Sequence, residues 1–123
     1  MNNSKAKATK AARQAEQQLQ AYLEEAVEAG ANAILLEYVP EGLEVCFMLG
    51  DTGAARVLED SKLAGGLMQL IGDRAGLDTK TKGTMTWLVH GQPVEITVEE
   101  YDSFGECAFR LKLKKTTPPR GRR

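Results

Sequence analysis

From residue 34 to residue 114 the apolar side chains recur at every second position, in short runs joined by turn-length links with one exception. Period two places alternate side chains on opposite faces of an extended strand, and a turn-length link can only send the chain back beside itself. The runs are ILLEYV (34–39), LEVCFML (43–49), AARVLE (54–59), TMTWLVH (84–90), VEITVEEY (94–101) and ECAFRLKLK (106–114). In the second, Leu43, Val45, Phe47 and Leu49 face one way and Glu44, Cys46 and Met48 the other. The turn signals are Pro40-Glu41-Gly42, Gly50-Asp51-Thr52-Gly53, Gly91-Gln92 and Asp102-Ser103-Phe104-Gly105. A mainly antiparallel sheet of about six strands follows.

The apolar spacing is helical in two places. Leu19, Tyr22, Leu23, Ala26 and Val27 predict a helix over roughly 5–29, stopped by Gly30. Leu63, Leu67, Leu70, Ile71 and Ala75 predict a second, capped by Asp60 or Ser61 and ended by Gly76. Its glycines, Gly65, Gly66 and Gly72, are expected where the helix approaches the sheet closely. The order is α-β-β-β-α-β-β-β: an α+β fold with two helices covering one face of the sheet.

At 123 residues and 42% apolar, the chain has the length and composition of one domain. We expect a basic, frayed extension over 1–15, a single domain over 16–114 and a basic, disordered tail over 115–123. The net charge of −1 hides an asymmetry. Residues 1–15 and 114–123 carry basic side chains and no acid, whereas 16–113 hold 7 basic and 17 acidic residues. Basic ends can touch nucleic acid, acidic lipid or an acidic protein. They lack interleaved aromatics for stacking on bases, so solubilising termini are the simpler reading. No apolar run approaches a membrane span, and the polar N-terminus has no secretory hydrophobic segment, so a cytoplasmic protein is expected. Cys46 and Cys107 lie in alternating strands and are expected to be buried thiols.

The residues show little that resembles catalytic chemistry. A phosphate-cradling GxxxxGK[ST] loop and a GxGxxG fingerprint are both missing, and one histidine with two strand cysteines makes no metal set. His90 sits at a hairpin end, where a surface role is the simpler reading. Glu99 and Glu100 point to opposite faces; Glu95 and Glu99 share a face but lie roughly 13 Å apart along a strand. We therefore expect no enzyme, no catalytic residue, no metal and no cofactor.

The stretch from Tyr22 to Lys114 resembles the N-terminal, non-catalytic domain of the motor ATPases of type II secretion and type IV pilus assembly. The resemblance lies in the order of EAGANAILLEYVPEGLEVCFML, ARVLE, LMQLIGDRAGLD and KGTMTWLVHGQPVEITVEEYDSFGECAFRLKL, with AGLD (75–78), Gly83 and the two late strands matching best. There are departures. Asn32-Ala33-Ile34-Leu35 stands where the family has Ser-Asp-Ile-His, and Met48-Leu49-Gly50-Asp51 where it has Arg-Ile-Asp-Gly. Thr79-Lys80-Thr81-Lys82 replaces an arginine-rich link. An arginine hydrogen bond to a charged group contributes roughly 1.5–3 kcal/mol, and methionine supplies none of it. GLEVCFMLGDTG (42–53) is thus expected to be a plain hairpin.

The resemblance implies a PAS-like, non-enzymatic domain that binds a protein partner, a secretion or pilus component. Candidate contacts are Glu95, Thr97 and Glu99 on one strand and Glu106, Arg110 and Lys112 on the next. A second possibility is a small-ligand sensor with Cys46, Met48, Met68, Met85 and Trp87 lining a pocket between sheet and helix; the same residues also suit an ordinary core. A third is nucleic-acid binding through the basic termini, with the steep salt dependence of counterion release.

Overall fold

The computed structural model describes residues 3–115, with side chains from Lys10 to Lys114. Its elements are α1 (Asn3–Ala29), β1 (Ala33–Val39), β2 (Gly42–Leu49), β3 (Thr52–Leu58), α2 (Ser61–Ala75), β4 (Lys82–Val89), β5 (Gln92–Ser103) and β6 (Glu106–Lys115). Among the described residues the strands form one sheet in the order β3-β2-β1-β6-β5-β4, with every neighbouring pair antiparallel. The fold is α+β, with both helices on one face. Residues 3–15, expected as a frayed extension, belong to α1, and Ala15 is buried. Of the expected tail, residues 116–123 lie outside the described residues.

Each helix ends for a local reason. At the end of α1, Gly30 adopts φ +76° and donates its N–H to the Val27 carbonyl, while Ala31 donates to that of Ala26. Gly76 repeats the pattern at the end of α2, with bonds from Gly76 to Asp73 and from Leu77 to Gly72. These paired bonds satisfy carbonyls the helix leaves open, and they need a left-handed residue. Asp60 is the N-cap of α2, its carboxylate accepting from the Leu63 N–H at 3.1 Å. Two hairpins turn on paired residues with positive φ, His90-Gly91 and Phe104-Gly105, as the twist of antiparallel strands favours. The first turn is therefore one residue earlier than the Gly91-Gln92 expected from sequence.

The core lies between the helices and the covered face of the sheet. Leu19, Leu23 and Ala26 of α1 and Leu67, Met68 and Ile71 of α2 are buried against Ile34, Leu36, Val45, Phe47, Ile96, Val98, Phe109 and Leu111. The expected strand alternation holds across this face. The α2 stripe turns slightly: Ala64 and Met68 are buried, while Leu63 and Leu70 are only half-buried.

The glycines of α2 do not do what the sequence suggests. A Cβ added at Gly65 meets nothing within 4 Å, and one at Gly66 meets α1, at Ala15, at an ordinary 3.7 Å. At Gly72 it reaches Phe109 at 3.8 Å, also ordinary contact. The close approach is at Gly83 of β4, where an added Cβ would lie 2.0 Å from the Ala75 carbonyl oxygen. Strand β4 slides under the last turn of α2 there. Gly65→Ala should raise stability by about 0.4–1 kcal/mol by restricting the unfolded chain. Gly83→Ala should lower it by about 1–3 kcal/mol, the usual cost of overpacking. Urea unfolding of the two variants checks both signs.

Candidate functional site

The second face of the sheet carries neither helix. The strand register orders its side chains in rows. One row runs Ala55, Cys46, Leu35, Arg110, Glu99 and Lys82 from β3 to β4. The next runs Gly53, Met48, Ala33, Lys112, Thr97 and Thr84. The face is thus divided by composition. Strands β3, β2 and β1 present mostly small or apolar groups in these rows, and β6, β5 and β4 present charged and hydroxyl groups.

All six candidate contacts fall on this face. Thr97, Glu99, Arg110 and Lys112 are adjacent, and Glu95 lies beyond them opposite Lys114. Glu106 is apart, paired with Ser103 at the β5–β6 hairpin, roughly 13 Å along the strand from Arg110. The centre of the cluster is the Glu99 carboxylate, facing Arg110 at 3.4 Å, Lys112 at 3.5 Å and Lys82 at 3.6 Å. Loss of solvent raises the Glu99 pKa somewhat, but the charge and hydrogen bond of Lys112, the charge of Lys82 and the Arg110 hydrogen bond together hold it below the usual carboxylate range. Sequence reading left Lys82 in a polar link; strand β4 begins with it. The signal was available, since Lys82, Thr84, Thr86 and Leu88 continue the period of two.

A second polar cluster lies beside the first. The Tyr101 hydroxyl donates to Glu37 of β1, and the Arg110 guanidinium carbon lies 5.5 Å from the centre of the Tyr101 ring. Burial, then the Glu37 carboxylate, push the phenol well above its ordinary value. These contacts join the two halves of the sheet across the β1–β6 pair.

The proposed ligand-pocket residues do not converge. Cys46 and Met48 lie on the open face, their sulfurs 3.6 Å apart. Met68 and Met85 are buried in the core on the other side of the sheet. Trp87, half-buried there, donates its Nε1–H to Gln20 at 2.6 Å, with Arg74 stacked 5.0 Å above its ring. A strand residue of opposite parity cannot cross the sheet, which separates Cys46 and Met48 from the other three.

The cysteines also differ from expectation. Both are free, but Cys46 is half-buried on the open face and Cys107 is exposed in a cleft beside α2, with Met68, Gln69 and Gly72. Desolvation, followed by a hydrogen bond to Glu100 at 3.2 Å and that carboxylate's charge, raises the Cys107 thiol to about 11. The β2–β3 turn is held from outside: the Asn32 side-chain oxygen accepts from the Gly50 N–H at 3.0 Å. That N–H is already engaged, and the turn forms a hairpin as expected. Among the described residues no group of His, Cys, Asp and Glu is placed to hold a metal ion, and no helix is long and apolar enough to cross a membrane. No protein-family model matches the chain, and no curated protein matches it.

Two measurements check these electrostatics. Despite its exposure, Cys107 should react with iodoacetamide at pH 8 about a hundredfold less than a thiol near pKa 9, as its thiolate population implies. Glu100→Gln should accelerate the reaction, followed by peptide mass spectrometry. A lowered folded pKa makes Glu99 stabilising above the unfolded carboxylate value and lets that contribution fade as pH falls through the folded value. The stability difference between wild type and Glu99→Gln should therefore shrink between pH 6 and pH 3 in urea melts.

Proposed function

We propose that this protein is a non-enzymatic binding domain that docks a protein partner on the open face of its sheet. One observation carries the reading: the helices cover one face only, and on the other Thr97, Glu99, Arg110 and Lys112 lie beside a small-residue, apolar strip of Ala33, Leu35, Cys46 and Met48. An apolar region bordered by charged groups is the composition of a protein-recognition patch. The strand and helix order quoted above resembles the N-terminal domain of secretion and pilus motor ATPases. The proposed partner is accordingly a motor ATPase or membrane platform component of such a machine.

The test is affinity capture by the full chain from lysate of its source cells, at low and high salt, with and without ATP. Three baits are compared: wild type, Arg110→Glu/Lys112→Glu, and a chain truncated after Lys115. The reading expects a secretion or pilus component retained at high salt, kept by the truncated chain and lost with the charge reversal. Nucleic acid alone, released by salt and lost on truncation, overturns it in favour of the basic termini. Capture indifferent to the charge reversal also overturns it.

A further inference from the structure

The border between the two halves of the open face is a groove of about 490 Å³ along the β1–β6 seam. Its floor is apolar, made by Ala33, Leu35 and Met48, and its far wall is cationic, made by Arg110 and Lys112. Asn32 fixes its end. The Asn32 N–H donates to the Met48 carbonyl at 2.9 Å, its own carbonyl accepts from Leu113 at 3.0 Å, and its side chain holds Gly50. The groove is thus built into three strands.

Among the described residues, Arg110, Lys112 and Lys82 face one carboxylate within 4 Å, that of Glu99, at 3.4–3.6 Å, while Glu37 and Glu44 lie farther along the face. Those pairs are long, and the cations are about half exposed or more, so redirecting them costs little. Arg110 is steadied over Tyr101, and a guanidinium can grip a second carboxylate through two parallel hydrogen bonds. An occupant complementary to floor and wall has an aliphatic side chain beside a carboxylate. The volume falls in the range of roughly 300–1,000 Å³ for sites that enclose small molecules, enough for a few side chains.

We propose that the seam groove recognises an acidic, aliphatic segment of a protein partner, its aliphatic side chain on Ala33, Leu35 and Met48 and its carboxylate on Arg110 and Lys112. This inference rests on the reading of the open face as a docking surface. Three capped hexapeptides of alternating sequence test it on the full chain by ¹⁵N-resolved NMR titration: Glu-Leu, Gln-Leu and Glu-Ser repeats. The Glu-Leu peptide should saturably shift amides of residues 32–35, 48–50 and 110–113, and bind at least about tenfold more tightly than either of the others. Arg110→Gln/Lys112→Gln should remove about tenfold of that affinity while the dispersed amide spectrum shows that the fold is kept. Met48→Gln should weaken Glu-Leu binding and leave Glu-Ser binding unaltered.

Equal binding of the Gln-Leu peptide, shifts confined to the helical side, or no saturable shift overturns the groove assignment. Capture of the lysate partner that is still sensitive to the open-face charge reversal would then leave the docking reading standing. Capture insensitive to that reversal removes the docking reading itself, whatever the peptides do.

Discussion

The structure depends on the pairing of β1 with β6. Ala33–Leu36 align with Phe109–Lys112, and this short antiparallel match joins two three-stranded units, β3-β2-β1 and β6-β5-β4, into one sheet. Each unit alone is a meander of local hairpins with half an apolar face. Joined, they present one continuous surface broad enough for two helices, and the core forms across the seam from Ile34 and Leu36 to Phe109 and Leu111. The pairing brings together residues more than seventy positions apart, so its loop-closure entropy is offset only when both helices settle on the completed face.

The same seam organises the uncovered face. In the two rows nearest the seam groove the first half contributes small and apolar side chains, the second contributes charged and hydroxyl ones, and the register sets Leu35 beside Arg110 and Ala33 beside Lys112. Neither half of the face has this combination. Contacts that cross the seam, Tyr101 to Glu37 and Asn32 to Leu113, hold the two chemistries in fixed relation. A surface made this way is rigid, because its side chains stand on a sheet whose reverse side is the core.

Much of the fold was legible in the residues, for physical reasons. Period two, the turns and the cap at Asp60 depend on nearest neighbours along the chain, and the elements they predict form. The separation of Cys46 and Met48 from Met85 and Trp87 was legible too: Cys46 and Met48 alternate with core residues Val45 and Phe47, so membership in one pocket required ignoring parity. Exposure of Cys107 was not legible. Its parity matches Phe109 and Leu111, but it lies where a cleft opens between α2 and the sheet, and where the two part is a matter of packing. Gly83 and Gly65 make the same point. Both are glycines in regular elements, and only the approach of the Ala75 carbonyl to Gly83 shows which one is required.

By itself, the sequence determined the elements, their antiparallel links, the buried side of the strands beneath the helices and the grouping of Glu95, Thr97 and Glu99 on one face. Hydrogen bonding and side-chain direction repeat at short range along the chain, so local pattern suffices for these. Only the tertiary structure decided that β1 pairs with β6, that Lys82 joins Arg110 and Lys112 around Glu99, and that an apolar floor borders those cations. Those relations arise where distant segments meet, and the choice among possible meetings is made by the burial of one shared core.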